Sequence, residues 1–125
     1  MSDTLKVLGQ QAPAGTTETI LYTVPAATQT TISSIVVCNR SGSGVTYRVS
    51  VAVSGATTSN KDYLFYDKAL AANSSDTIVI GITVTETDKI NVYASDGNLS
   101  FTAFGCETTE EWYEWSSTTN TKYNV

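Results

Sequence analysis

The chain contains no histidine, one methionine, two prolines and two cysteines, and both of its tryptophans lie within residues 112–115. The missing histidine removes Ser/His and Cys/His nucleophile pairs, most general-base arrangements and nearly all transition-metal sites. Charge is scarce as well: 15% of residues are charged, against about 25% in an ordinary globular protein. The seven basic residues, Lys6, Arg40, Arg48, Lys61, Lys68, Lys89 and Lys122, are dispersed and outnumbered by twelve acids, for a net charge of −5. Phosphate contacts need clustered Lys and Arg, so no nucleic-acid partner is expected. No apolar run approaches the roughly 18 residues of a spanning helix, and no membrane partner is expected either. The opening "MSDTLKVLG" lacks the basic and apolar regions of a secretory signal, which points to a protein kept in a cytoplasm.

Hydroxyl side chains are what the sequence has in abundance. Serine and threonine supply 35 of 125 residues. Thr, Val, Ile and Tyr suit a pleated, half-buried surface, whereas Glu, Lys, Leu and Met, the strong helix formers, are few. The length fits one domain able to hide roughly two thirds of its unfolded surface.

Period-two alternation recurs along the chain. In "VTYRVSVAV" (45–53), Val45, Tyr47, Val49, Val51 and Val53 share one face and Thr46, Arg48 and Ser50 the other. "DTIVIGITV" predicts Ile78, Ile80, Ile82 and Val84 inward, with Gly81 permitting a bulge or a close neighbour. "KINVYAS" places Ile90, Val92 and Ala94 inside, and "NLSFTAFG" places Leu99, Phe101 and Ala103 inside. Between them, "SDGN" (95–98) reads as a hairpin turn. "TILYTV" (19–24) stops at Pro25. "QTTISSIVVCNR" (29–40) slips its alternation at Ser33-Ser34, which suggests a bulge before Ile35, Val37 and Asn39. "SGSG" (41–44) reads as a hairpin connection into the 45–53 strand, and in "KDYLFYDKAL" Tyr63 and Phe65 oppose Leu64 and Tyr66. About seven strands, or eight if "TLKVLG" pairs, predict an all-β antiparallel sandwich, Ig-like or jelly-roll. The expected divisions are an N-terminal arm (1–16), the β-sandwich domain (17–106), and a C-terminal aromatic arm or added strand (107–125).

Asp62, Asp67, Asp76, Glu86, Asp88 and Asp96 fall at strand ends or turns, where acids bond local backbone. No carboxylate pair for a glycosidase stands out, and no catalytic residue, cofactor or metal is expected; Glu86 and Asp88 are the one pair worth weighing for calcium. Cys38 and Cys106 read as two small buried hydrophobes in a reducing compartment, which would pair only if their strands were neighbours. Asn39, Asn73 and Asn98 open N-x-S sequons by chance in a Ser/Thr-rich chain. Tyr22, Tyr47, Tyr63, Tyr66 and Tyr93 pack in strands or, if several face one way, stack on a sugar ring. "EEWYEW" is read as a last edge strand of the protein's own sheet, as an arm or swapped strand ordered by a neighbouring subunit, or as a disordered segment. Trp112, Tyr113, Trp115 and Tyr123 are the candidate subunit-interaction residues, because exposed aromatics are preferred interface anchors.

The phrases "ILYTVPAATQTTISSIVVCNRSGSGVTYRVSVAVSG", "DYLFYDKALAANSSDTIVIGITV", "TDKINVYAS" and "SFTAFGCE" occur in an order that resembles small β-structured virion proteins of tailed bacteriophages, of the marine and cyanobacterial type. The resemblance covers about residues 20–107 and stops short of the aromatic segment. It implies a non-enzymatic structural protein in the virion, assembled in the host cytoplasm. The expected role is capsid decoration (cement), with arms that bind the shell and neighbouring subunits; the alternative is a tail, baseplate or fibre component, with or without glycan binding. Expected partners are the major capsid protein or tail proteins, and further copies of the chain in a dimer or trimer.

Overall fold

A computed structural model of the protein describes residues 2–109. Nine strands follow one another with only two single-turn 3-10 segments among them: β1 (Ser2–Gln11), β2 (Thr19–Thr23), β3 (Thr28–Asn39), β4 (Val45–Ala52), β5 (Tyr63–Leu70), β6 (Ser75–Ile78), β7 (Ile82–Thr85), β8 (Lys89–Ala94) and β9 (Leu99–Thr109). All pairing is antiparallel, in two sheets. One sheet has the order β1-β9-β3-β6, with β7 also on β3; the other has the order β2-β8-β4-β5. Strands β6 and β7 pair with successive stretches of β3, Ile35–Cys38 and Gln29–Ile32, so they form two halves of a single edge row. Counted by rows, the fold is an eight-stranded jelly roll. Most connections cross from one sheet to the other; only β4–β5 and β6–β7 stay within a sheet.

Most of the inward positions that alternation predicts lie in the core. Ile35, Val37, Val49, Ile90, Ala94, Leu99, Phe101 and Ala103 are fully buried between the sheets. The irregularity at Ser33-Ser34 is present: the β3–β9 register shifts between Ile32 and Ser34, which keeps both Ile32 and Ile35 inside.

Two hydrogen-bonded ties cross the sandwich. Near one end, the Tyr22 hydroxyl of the four-stranded sheet bonds Thr30 Oγ1 (2.8 Å) and donates to Glu107 of the facing sheet, while Lys6 Nζ approaches Glu107 Oε1 at 3.3 Å. Near the other, the Tyr47 hydroxyl donates to Asp76 Oδ2 across the sheets (2.9 Å), and Lys68 Nζ reaches the same oxygen at 3.0 Å. Burial, then the neighbouring carboxylate, pushes both phenols well above their ordinary pKa.

Several local expectations are corrected. Residues 95–98 and 41–44 are not hairpins, because β8 and β9, like β3 and β4, belong to different sheets. Each is an arch between the layers. Asp96 Oδ1 accepts the Asn98 N–H (2.9 Å), and the Arg40 guanidinium donates to the Gly97 carbonyl (3.1 Å) and the Ser100 hydroxyl (2.9 Å), pinning one arch against the end of β3. Asn39 organises the other from within, its amide reaching the carbonyls of Ser43, Leu70 and Ala71 and its Oδ1 accepting from Ser41. Ile80 is not inward: the chain leaves β3 between β6 and β7, Gly81 takes a φ of +58°, and Val79 and Ile80 are 70% and 51% exposed. Val53 lies past the end of β4 in a 3-10 turn and is exposed. The first sixteen residues, expected as an arm, contribute β1, paired with β9 along its length.

Candidate interaction surfaces

Trp112, Tyr113, Trp115 and Tyr123 lie outside the described residues. Their point of departure is defined. Strand β9 ends at Thr109, paired with Ser2 of β1 on one side and Thr28 of β3 on the other.

Beside that point lies an apolar strip on the outer face of the five-stranded sheet, created by the register of β1. Lys6 sits opposite Gly105 and its ammonium is held by Glu107, on the side of the tie to Tyr22. Period two then turns Leu5 and Val7 to solvent, where they are 85% and 48% exposed. Cys106 and Phe104 stand opposite them on β9, and Thr31 and Ser33 of β3 complete a shallow groove of about 450 Å³. The next residue, Leu8, turns inward and packs against the core, and the register shifts between Val7 and Gly9. There its methyl lies 2.9 Å from where a Cβ on Gly105 would stand, and the Thr31 carbonyl 2.1 Å from it, so only glycine fits.

The outer face of the four-stranded sheet carries a tyrosine cluster. Arg48 is paired across the ladder with Tyr93, and its guanidinium carbon lies 4.2 Å from the ring centres of both Tyr93 and Tyr66. Asp67 fixes the guanidinium from a third side, through Nε (2.7 Å) and Nη2 (3.4 Å), and raises its already high pKa. Tyr63 meets Tyr66 edge-on, with ring centres 4.8 Å apart. Alternation assigns Tyr63 and Tyr66 to opposite faces. The β4–β5 register shifts twice, between Tyr47 and Val49 and between Val49 and Ser50, with Asp67 at a φ of +53°, and these bulges put both rings on one side. Next to them is a depression of about 270 Å³ bounded by Glu18, Ser50, Tyr63, Asn91, Tyr93 and Thr16.

The acids singled out by position each hold local structure. Asp62 caps a turn through the Ser59 N–H (2.9 Å) and Asp67 holds Arg48. Glu86 Oε1 accepts the Ala27 N–H (3.0 Å), and Asp88 accepts the Ser54 and Thr85 N–H groups at 2.8 and 2.9 Å. Among the described residues no three Cys, Asp or Glu side chains gather as a metal site. Cys38 and Cys106 lie on neighbouring strands, but Cys38 is opposite Ser100 and Cys106 opposite Thr31. At about 3.3 Å per residue they are roughly 20 Å apart along the sheet, too far for a disulfide. No helix among the described residues is long and apolar enough to cross a membrane.

No family model matches the chain, and no curated protein matches it. Among solved structures, a chain in the structure of infectious bursal disease virus, Gx strain, is similar to it with a TM-score of 0.50 and 17% identity, over 85% of this chain and 30% of that one. This chain therefore spans less than a third of that neighbour's length, and the likeness is one of fold.

Proposed function

We propose that the chain is a non-enzymatic structural component of a virus particle, and specifically a decoration protein on the shell of a tailed phage, assembled in the host cytoplasm. One observation carries the reading. An outward-facing apolar strip, Leu5-Val7-Phe104-Cys106, lies on an edge strand and its neighbour, close to where the chain continues into sixteen residues that include Trp112, Tyr113 and Trp115. A solvated edge with its apolar face outward is a liability unless something covers it. Aromatic anchors meeting an apolar groove would supply such cover between adjacent subunits.

The jelly-roll architecture and the likeness to a chain of a virus structure support the reading at the level of fold, as does the resemblance of residues 20–107 to phage virion proteins. The engagement of the strand-end acids in backbone and ion-pair contacts agrees with a non-catalytic role. The strip would accept the aromatic segment of a neighbouring copy, in a dimer or trimer, on a shell built by the major capsid protein. A second reading, a tail, baseplate or fibre component, draws on the tyrosine face of the opposite sheet.

Quantitative mass spectrometry of purified particles tests the proposal and separates the two. Hundreds of copies per particle are expected for a decoration protein. A few to some tens would favour the tail, and absence from the particle overturns both.

A further inference from the structure

We propose that the outer face of the β2-β8-β4-β5 sheet is a binding site for a neutral hexose-containing glycan, centred on Tyr63, Tyr66 and Tyr93. Three features carry this. First, β5 is bulged so that Tyr63 and Tyr66 share a face with Tyr93, an arrangement that regular pairing forbids. One of those bulges holds Asp67 in the left-handed region, which aspartate tolerates better than most residues with a Cβ. Second, Arg48 is fixed between two rings and by Asp67, so the aromatic platform is rigid before any ligand arrives. Third, among the described residues none of the three tyrosine hydroxyls makes a hydrogen bond within the protein, and Tyr63 and Tyr93 line a depression with polar walls, with Tyr66 packed on Tyr63 beside it.

Those walls have hydrogen-bonding capacity to spare. Glu18 Oε2 accepts from Thr58 (2.6 Å) and Ser50 (3.5 Å), and the Asn91 amide donates to Thr58 (3.1 Å). Glu18 Oε1, Asn91 Oδ1 and Arg48 Nη1 remain for a ligand. A pyranose matches that combination: an apolar C–H face for a ring, and a rim of hydroxyls for a carboxylate, an amide oxygen and a guanidinium. Charge decides the class. Arg48 is already neutralised by Asp67, Glu18 stands in the depression, and the chain carries −5 overall, so an anionic ligand is repelled. The site lies on the sheet opposite the apolar strip and does not depend on the virion reading.

The test is amide and side-chain NMR of the full chain titrated with neutral trisaccharides of glucose, galactose and mannose, with sialyllactose as the anionic control. At least one neutral sugar is expected to bind with millimolar affinity and to shift the Asn91 side-chain amide. Tyr66→Ala should weaken that binding about fivefold to tenfold, with Tyr66→Phe retaining most of it; Tyr66 is 59% exposed, so neither change disturbs the core. Glu18→Gln should weaken binding without changing the fold, since the amide oxygen still accepts from Thr58. No shift with any neutral sugar at saturating concentrations would overturn the proposal. So would a shift unchanged in Tyr66→Ala, or a preference for sialyllactose.

Discussion

Asn39 is fully buried and makes hydrogen bonds with both ends of its amide, serving the 41–44 arch and the carbonyls that close β5. Truncation removes every bond of the amide and takes Asn39 Oδ1 from the Ser41 N–H, while Ser41 and Ser74 still donate to the Ser43 and Ala71 carbonyls, so Asn39→Ala should cost roughly 2 kcal/mol in urea denaturation. The same burial takes its sequon out of reach in the folded chain. Tyr47 is also buried, but its hydroxyl is one of two donors to Asp76. Tyr47→Phe leaves Lys68 in place and should cost only about 1 kcal/mol. Gly105→Ala places a methyl against the Thr31 carbonyl and Leu8, where backbone has to move; a loss of about 1–3 kcal/mol is expected in the same measurement. Most buried strand positions were plain in the sequence because period two selects them without help from topology; Val53 and Ile80, past a strand end and at a strand break, are where it misleads. The partners of Tyr47, the Glu107 partner of Tyr22 and the Leu70 and Ala71 carbonyls bonded by Asn39 were not, since those bonds join residues far apart in sequence.

Strand existence was legible and strand destination was not. The alternation of "VTYRVSVAV", "KINVYAS" and "NLSFTAFG" identifies β4, β8 and β9 and their inward residues. Nothing in "SDGN" or "SGSG" states that the next strand joins the opposite sheet; turn chemistry is local, and sheet membership is decided by long-range pairing. Bulges divide similarly. Ser33-Ser34 betrays itself by interrupting an apolar pattern, whereas "DTIVIGITV" keeps its alternation through a break that only the positive φ of Gly81 reveals. The bulges in β5 left no trace, and with them the sequence concealed that Tyr63 and Tyr66 face the same way. Because Val79 and Ile80 project to solvent, Val79→Ser and Ile80→Ser should each change stability by less than about 0.5 kcal/mol. The equivalent change at Val84, buried on the neighbouring half-row, should cost several times more.

Across the whole molecule Asp76 and Asp62 on the acid side, and the two tie tyrosines Tyr22 and Tyr47 on the alkaline side, set the response to pH. In Asp76 burial alone would raise the pKa, but hydrogen bonds from Lys68 and Tyr47 outweigh it; in Asp62 the Ser59 backbone bond leads, and both carboxyls titrate below the ordinary 3.8. Their contribution is complete above that value and is lost as pH falls through the lower folded pKa. Tyr22 and Tyr47 act in the opposite sense: their contribution is complete below the ordinary phenol value of 10.0 and erodes as pH rises from there toward the raised folded value. With no histidine in the chain, the urea midpoint should be flat from about pH 5 to pH 9 and fall on both sides. A histidine-like step near pH 6.5 would contradict this.

The central claim is that the Leu5-Val7-Phe104 strip and residues 110–125 together anchor the protein on a particle. Its most direct measurement is co-sedimentation of purified protein with phage particles from which it has been removed. The wild type should rebind, while Leu5→Ser/Val7→Ser and a deletion of residues 110–125 should each weaken rebinding by at least about tenfold, with unchanged urea midpoints. Rebinding of both variants as tightly as the wild type would contradict the account.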